Sequence, residues 1–268
     1  MTAVDPHAST LPPPVPRPWL TGIIDLSHWE ADMGLHDKRP GPHAANIAGA
    51  VHANRGDAHD LVMVFAKTCQ GVDSPDPSFA YFRDATRAAG LLFGDYTFLT
   101  GKESGERQAR DYMARWDPGA EVHVLDVEVN PNDRTSTVTH EHVAECAVTI
   151  HDATGVWPLF YTYPSFPGHL RIPDNSPVLN CPLWLATYSE RPTKAPRPFR
   201  GIELWQYTNA AHGPRDVQRY PRVTPGLGRK VDRSCFDGDL ATLKAWLRGA
   251  GRDRGPQCED ATRKLPAQ

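Results

Sequence analysis

Two acids, Asp126 and Glu128, lie two residues apart in VHVLDVEVN (122–130). On an extended strand, positions i and i+2 project from one face with Cα atoms roughly 6.5–7 Å apart. The two carboxylates therefore share a space. Val124, Val127 and Val129 flank them and mark a strand buried on both faces. Acids in such a strand are costly unless they are paired or functional. Mutual repulsion and partial burial raise one pKa and leave the other group ionised. The protonated member can give its proton to a glycosidic oxygen. The ionised member can stabilise positive charge at a sugar ring. That division of labour is the equipment of a glycosidase.

The acids need a frame to hold them. Eight short apolar runs, each β-branched or aromatic-rich, lie at 22–29, 61–69, 91–99, 122–129, 157–163, 182–189, 201–208 and 231–236. Gly, Pro, Asp or Asn bounds each one, as expected of buried strands. Helical stretches fall at 78–89, 104–116, 139–153 and 239–249. The first follows Asp76-Pro77, where Asp can cap and Pro can take the first helical position. Alternating strands and helices predict an α/β fold with a parallel sheet. Eight strands predict a closed, TIM-like barrel in a single domain, with an open doubly wound sheet as the alternative. The links after strands 5, 6 and 7 are Pro-rich and read as loops, which degrades the second half of the barrel. In parallel barrels the site lies at the carboxyl ends of the strands. Strand 1 carries Asp25, strand 4 carries the acid pair, and the eighth strand opens with Asp232.

Composition narrows the options. The chain has 268 residues, 40% of them hydrophobic and 23% charged, with 29 basic against 32 acidic side chains and a formal charge of −3. Nucleic acid is not an expected partner of so acidic a chain. Mean hydropathy is −0.50, and no apolar run approaches the roughly 20 residues that span a bilayer, so membrane insertion is excluded. Residues 1–20 hold six prolines and read as an extended N-terminal arm, 21–250 as the barrel, and 251–268 as a polar tail. No secretory signal peptide is visible. Five cysteines (Cys69, Cys146, Cys181, Cys235, Cys258) are too few for a disulfide scaffold. Cys69 reads as a buried thiol.

No cofactor and no metal site is expected. His36, His43, His52 and His59 fall in the polar segment 31–60, but their spacing matches no zinc pattern. That segment reads as an extended loop at the barrel mouth. Tyr96, Tyr161 and Trp205 are the candidate aromatics for stacking on sugar faces.

Eight segments, in order, resemble the glycoside hydrolase family 25 lysozymes, the Chalaropsis-type N-acetylmuramidases. GIIDLSHWE resembles the family's opening strand, and FAKTCQG with Asp76-Pro77 and Phe79 its second. AAGLLFGDYTF resembles the third strand, LDVE the acid pair, YTYPSF, LWLATYS and LWQYT strands 5 to 7, and VDRSCFDGD the closing motif. Glu30, Thr97 and Gln70 depart from the family's usual Gln, His and Glu. The resemblance implies a (β/α)5(β)3 barrel that cuts the β-1,4 bond between N-acetylmuramic acid and N-acetylglucosamine. It implies Glu128 as general acid/base. Asp126 either orients and charge-stabilises the 2-acetamido group or acts as nucleophile, and Asp25 and Asp232 complete the acid set. Glu128 then needs a raised pKa, supplied by burial beside Val127 and Val129 and by the charge of Asp126. Asp126 must stay ionised, so a hydrogen-bond donor is expected beside it.

The implied partner is the peptidoglycan glycan strand, in the cell wall or periplasm. Release by phage lysis or export by a dedicated secretion system would bring the protein there. An effector would add secretion machinery or an immunity protein as partners. A non-catalytic glycan-binding barrel and a hydrolase of another N-acetylated polysaccharide are the alternatives.

Overall fold

The computed structural model describes residues 19–34, 39–53, 61–131 and 133–252. Eight strands close into one barrel in chain order. They are β1 (Trp19–Leu26), β2 (Met63–Gln70), β3 (Leu92–Phe98), β4 (Val122–Asp126), β5 (Leu159–Thr162), β6 (Leu183–Ala186), β7 (Leu204–Thr208) and β8 (Asp232–Asp237). Helices α1 (Ile47–Ala53), α2 (Phe79–Ala88), α3 (Gly105–Arg115), α4 (His140–Thr154) and α5 (Phe166–Leu170) follow the first five strands, and α6 (Leu240–Gly249) follows β8. This is the expected (β/α)5(β)3 order. No helix among the described residues is long and apolar enough to cross a membrane.

Four details differ from the sequence reading. β1 to β7 are parallel, but β8 runs antiparallel to both of its neighbours, β7 and β1. The link after β5 is not a plain loop: it holds α5 and a 3-10 turn at Pro177–Asn180. The segment 31–60 contains α1, whose weak apolar pattern buries only Ile47 and Ala50. Pro77 stands ahead of α2 and not at its first position, and Asp76 Oδ1 instead accepts from the Ser78 N–H at 2.9 Å. Residues 1–18 and 253–268, with Cys258, lie outside the described residues, as do His36 and His59.

Local signals explain the other helix starts. Ser104 accepts from the Arg107 N–H at the start of α3, and Asp239 from the Thr242 N–H at α6. Thr139 and His142 form a reciprocal cap on α4. α3 and α4 approach so closely that a side chain at Gly105 would collide with the His142 carbonyl.

The lower barrel is filled by side chains. Met63, Phe65, Val124, Leu159, Trp184 and Leu204 form one buried cluster. Gly94 of β3 leaves room for the Phe65 ring, which lies 4.5 Å from Trp184. The Trp184 indole N–H donates to Ser234 Oγ at 3.0 Å. This plug leaves the upper barrel open. Outside the strands a second core holds Cys69, Leu125, Val127 and Cys146 under α3 and α4. Cys69, Cys146, Cys181 and Cys235 are buried free thiols, and burial pushes the Cys69 thiol up to about 11.

Candidate active site

A cavity of about 610 Å³ opens at the carboxyl ends of β1 to β6 and the start of β8. The period-two alternation of β4 runs past its last paired residue. Val124, Asp126 and Glu128 line the cavity, while Leu125 and Val127 are buried in the core outside the barrel. Asp25 enters from the carboxyl end of β1. Asp232 is the first residue of β8, which in a parallel strand would put it at the wrong end. Because β8 is antiparallel, that first residue pairs with Asp25 and joins the same cavity. All four candidate acids therefore face one space.

Burial is the first cause of their electrostatics. It raises the Asp25 carboxyl well above the usual range, helped by the charge of Asp232 and opposed by a hydrogen bond from Gln206. Asp232 is pushed up to about 7 by burial, then by the charges of Glu30 and Glu128. Asp126 is raised well above its ordinary value by burial and by Glu128, against the pull of Lys67. Glu128 is raised by burial, again opposed by Lys67.

Two expectations about the pair need correction. Val127 does not bury Glu128, since it faces the other side of the strand; the cavity walls do so. The donor expected beside Asp126 is missing among the described residues, and Asp126 Oδ1 is buried with no hydrogen-bond partner.

Tyr96 and Tyr161 line the cavity, as the sequence reading placed them. Trp205 does not. Neighbouring residues of a strand face opposite ways, and Leu204 and Gln206 take the interior of β7. Trp205 is 1% exposed, packed with Tyr207 and Tyr220, and its indole N–H donates to the Thr187 carbonyl at 2.7 Å.

Gln206 is the residue the sequence reading missed. Its Nε2 donates to Asp25 Oδ2 at 3.0 Å, and its Oε1 accepts from the Tyr161 and Tyr188 hydroxyls at 3.0 and 3.2 Å. An amide inside the apolar run LWQYT was the available signal. The sequence reading gives Asp76 only a capping role and His28 none in the site. Asp76 Oδ2 holds both the His28 N–H (3.1 Å) and Nδ1 (2.8 Å), and both residues line the cavity. Trp29, 68% exposed, stands at the rim with its ring 4.6 Å from His28.

Among the described residues no group of three or more His, Cys, Asp or Glu side chains could hold a metal ion. His43 and His52 are exposed.

A closed eight-stranded α/β barrel with carboxyls gathered at one mouth has the form of a barrel glycosidase. The family model for glycosyl hydrolases family 25 matches residues 24–215. The chain belongs to that family and is a glycoside hydrolase. Its fold is similar to that of a muramidase from Acremonium alcalophilum, with a TM-score of 0.63 at 22% identity over 86% of this chain and 99% of the other. A lysozyme from Streptomyces coelicolor gives a TM-score of 0.64 at 20% identity, covering 86% and 97%. The modular autolysin LytC from Streptococcus pneumoniae, solved with a synthetic peptidoglycan ligand, gives 0.56 at 17% identity, covering 80% and 46%. A search of curated proteins finds no significant match.

Proposed function

We propose that the protein is a peptidoglycan hydrolase that cleaves the β-1,4 bond between N-acetylmuramic acid and N-acetylglucosamine. The observation that carries this reading is the meeting of Asp25, Asp126, Glu128 and Asp232 in one open cavity. The family and its muramidase relatives support it.

Glu128, whose carboxyl burial raises above its ordinary range, gives its proton to the glycosidic oxygen as the bond breaks. Its carboxylate then takes a proton from the attacking water. Asp126 orients and charge-stabilises the 2-acetamido group. The unpartnered Oδ1 of Asp126 suits that role, because an acetamido N–H supplies the donor that the protein does not. An unsatisfied buried acceptor is expensive, so binding a substrate with that N–H is favoured over one without it. Asp25, fixed by Gln206, and Asp232 set the charge around the pair.

Digestion of purified peptidoglycan, borohydride reduction and mass analysis test the bond choice. Reduced muramic acid ends are expected. Reduced glucosamine ends would overturn the assignment.

A further inference from the structure

Lys67 is the only lysine or arginine among the described residues lining the cavity, against the carboxyls of Asp25, Glu30, Asp76, Asp126, Glu128 and Asp232. A bulge sets its surroundings. Met63, Phe65 and Lys67 of β2 alternate toward the barrel interior, and the register with β3 then shifts between Lys67 and Cys69. The extra residue resets the alternation. Cys69 turns to the outer core, and Gln70, three residues after Lys67, lines the same cavity. Lys67 Nζ donates to Gln70 Oε1 at 2.9 Å and lies 5.2 Å from the centre of the Phe98 ring. Both partners are uncharged, and among the described residues no carboxylate holds Lys67 in an ion pair.

We propose that Lys67 is a positioning charge for the acid pair, seated on neutral partners so that its field falls on Asp126 and Glu128, and that Gln70 is the residue that keeps it uncommitted. The proposal rests on the acid-pair reading above. The pull of Lys67 on both carboxyls opposes their burial. Without that pull, two enclosed acids on one strand face would both favour the neutral form, and no anion would remain for the sugar. A carboxylate at position 70, 2.9 Å from the ammonium, would form a charge-assisted pair and turn that field inward. Other titratable groups also face the pair. Asp25 and Glu30 come from β1 and the turn after it, with His28 on Asp76 beside them. Tyr96 and Tyr161 come from β3 and β5, and Asp232 from β8. None of these supplies a permanent positive charge.

Gln70→Glu tests the idea with little change of shape. The titrations of Asp126 and Glu128, followed by carboxyl carbon NMR in the substrate-free protein, should move up by about a unit. Both limbs of the pH–rate profile should move up with them. Lys67→Met should act in the same direction, and Lys67→Arg should restore most of the wild-type profile. Should Lys67→Met fail to fold, Lys67→Gln, which removes the charge and adds none, decides in its place. Unmoved titrations and limbs would overturn the proposal, even with a fall in rate, because a merely structural lysine would give that result. The titration needs no substrate. Shifted carboxyls in a protein that leaves peptidoglycan uncut would therefore support Lys67 and count against the muramidase reading.

Discussion

Asp25 and Asp232 are direct partners in the antiparallel β1–β8 ladder. Like charges placed opposite one another destabilise a sheet, and here both carboxyls are raised, first by burial. The fold tolerates this arrangement at the cavity, where the acids are used.

Removing one of these charges should stabilise the protein. Burial, then the charges of Glu30 and Glu128, push the Asp232 carboxyl up to about 7 from an ordinary 3.8. A raised folded pKa means that the contribution to stability is full below about 4 and is lost as pH rises through about 7. Asp232→Asn should therefore raise the Tm at pH 8, leave it nearly unchanged at pH 4, and lower the hydrolysis rate. Thermal melts by circular dichroism at the two pH values check this. A lower Tm at pH 8 would contradict it.

Trp205 and Tyr161 should separate stability from activity. Trp205 is buried away from the cavity, so Trp205→Ala should cost about 3–5 kcal/mol of stability. The folded fraction should keep its KM. Tyr161→Phe removes a donor to Gln206, which positions Asp25. It should cut kcat with little change in Tm. Urea titrations and steady-state rates distinguish the two effects, and a raised KM in Trp205→Ala would return that residue to the cavity.

The barrel was legible because eight apolar runs kept their order and each overlaps one observed strand. The acid pair was legible because one strand face repeats every two residues. What sequence could not supply was direction and register. Asp232 reaches the site only through the reversal of β8, and that reversal depends on how the 209–231 connection returns. Trp205 was placed in the cavity although it lies one residue off the inward phase that Gln206 occupies. Gln70 faces the cavity through a bulge that no composition pattern announces. The α1 helix was missed because its sequence, IAGAVHA, carries too little apolar periodicity to stand out.

Arg233 should prove essential to the mouth. It is 1% exposed, and its guanidinium donates to the Tyr207 hydroxyl, the Val223 carbonyl, Thr224 Oγ1 and the Thr21 carbonyl at 2.6–3.1 Å. It thus ties the 209–231 connection to β7 and β1. Arg233→Met strands several buried acceptors at about 1–3 kcal/mol each. The expected result is a lower Tm and faster amide exchange through 209–231. Arg233→Lys should rescue little, since an ammonium cannot span the fork. Unchanged exchange in Arg233→Met would show that the connection is held by other contacts.

The last prediction concerns the acid pair under titration. Burial raises Glu128, so it keeps its proton to a higher pH than an ordinary carboxyl and sets the basic limb of the rate profile. Burial and Glu128 raise Asp126 well above its ordinary value, so the acidic limb, which belongs to the coupled pair, also lies above the usual carboxylate range. The bell should therefore stand at higher pH than two exposed acids would give. Glu128→Gln keeps the shape but removes the proton donor, and the rate should fall about 10²–10⁴-fold. Insoluble peptidoglycan should still retain this variant. Asp126→Asn should also lower the rate, while the basic limb stays in place, because burial is the first cause of the Glu128 shift. Near wild-type turnover in Glu128→Gln, with the fold intact by circular dichroism, would show that another carboxyl in the cavity is the acid.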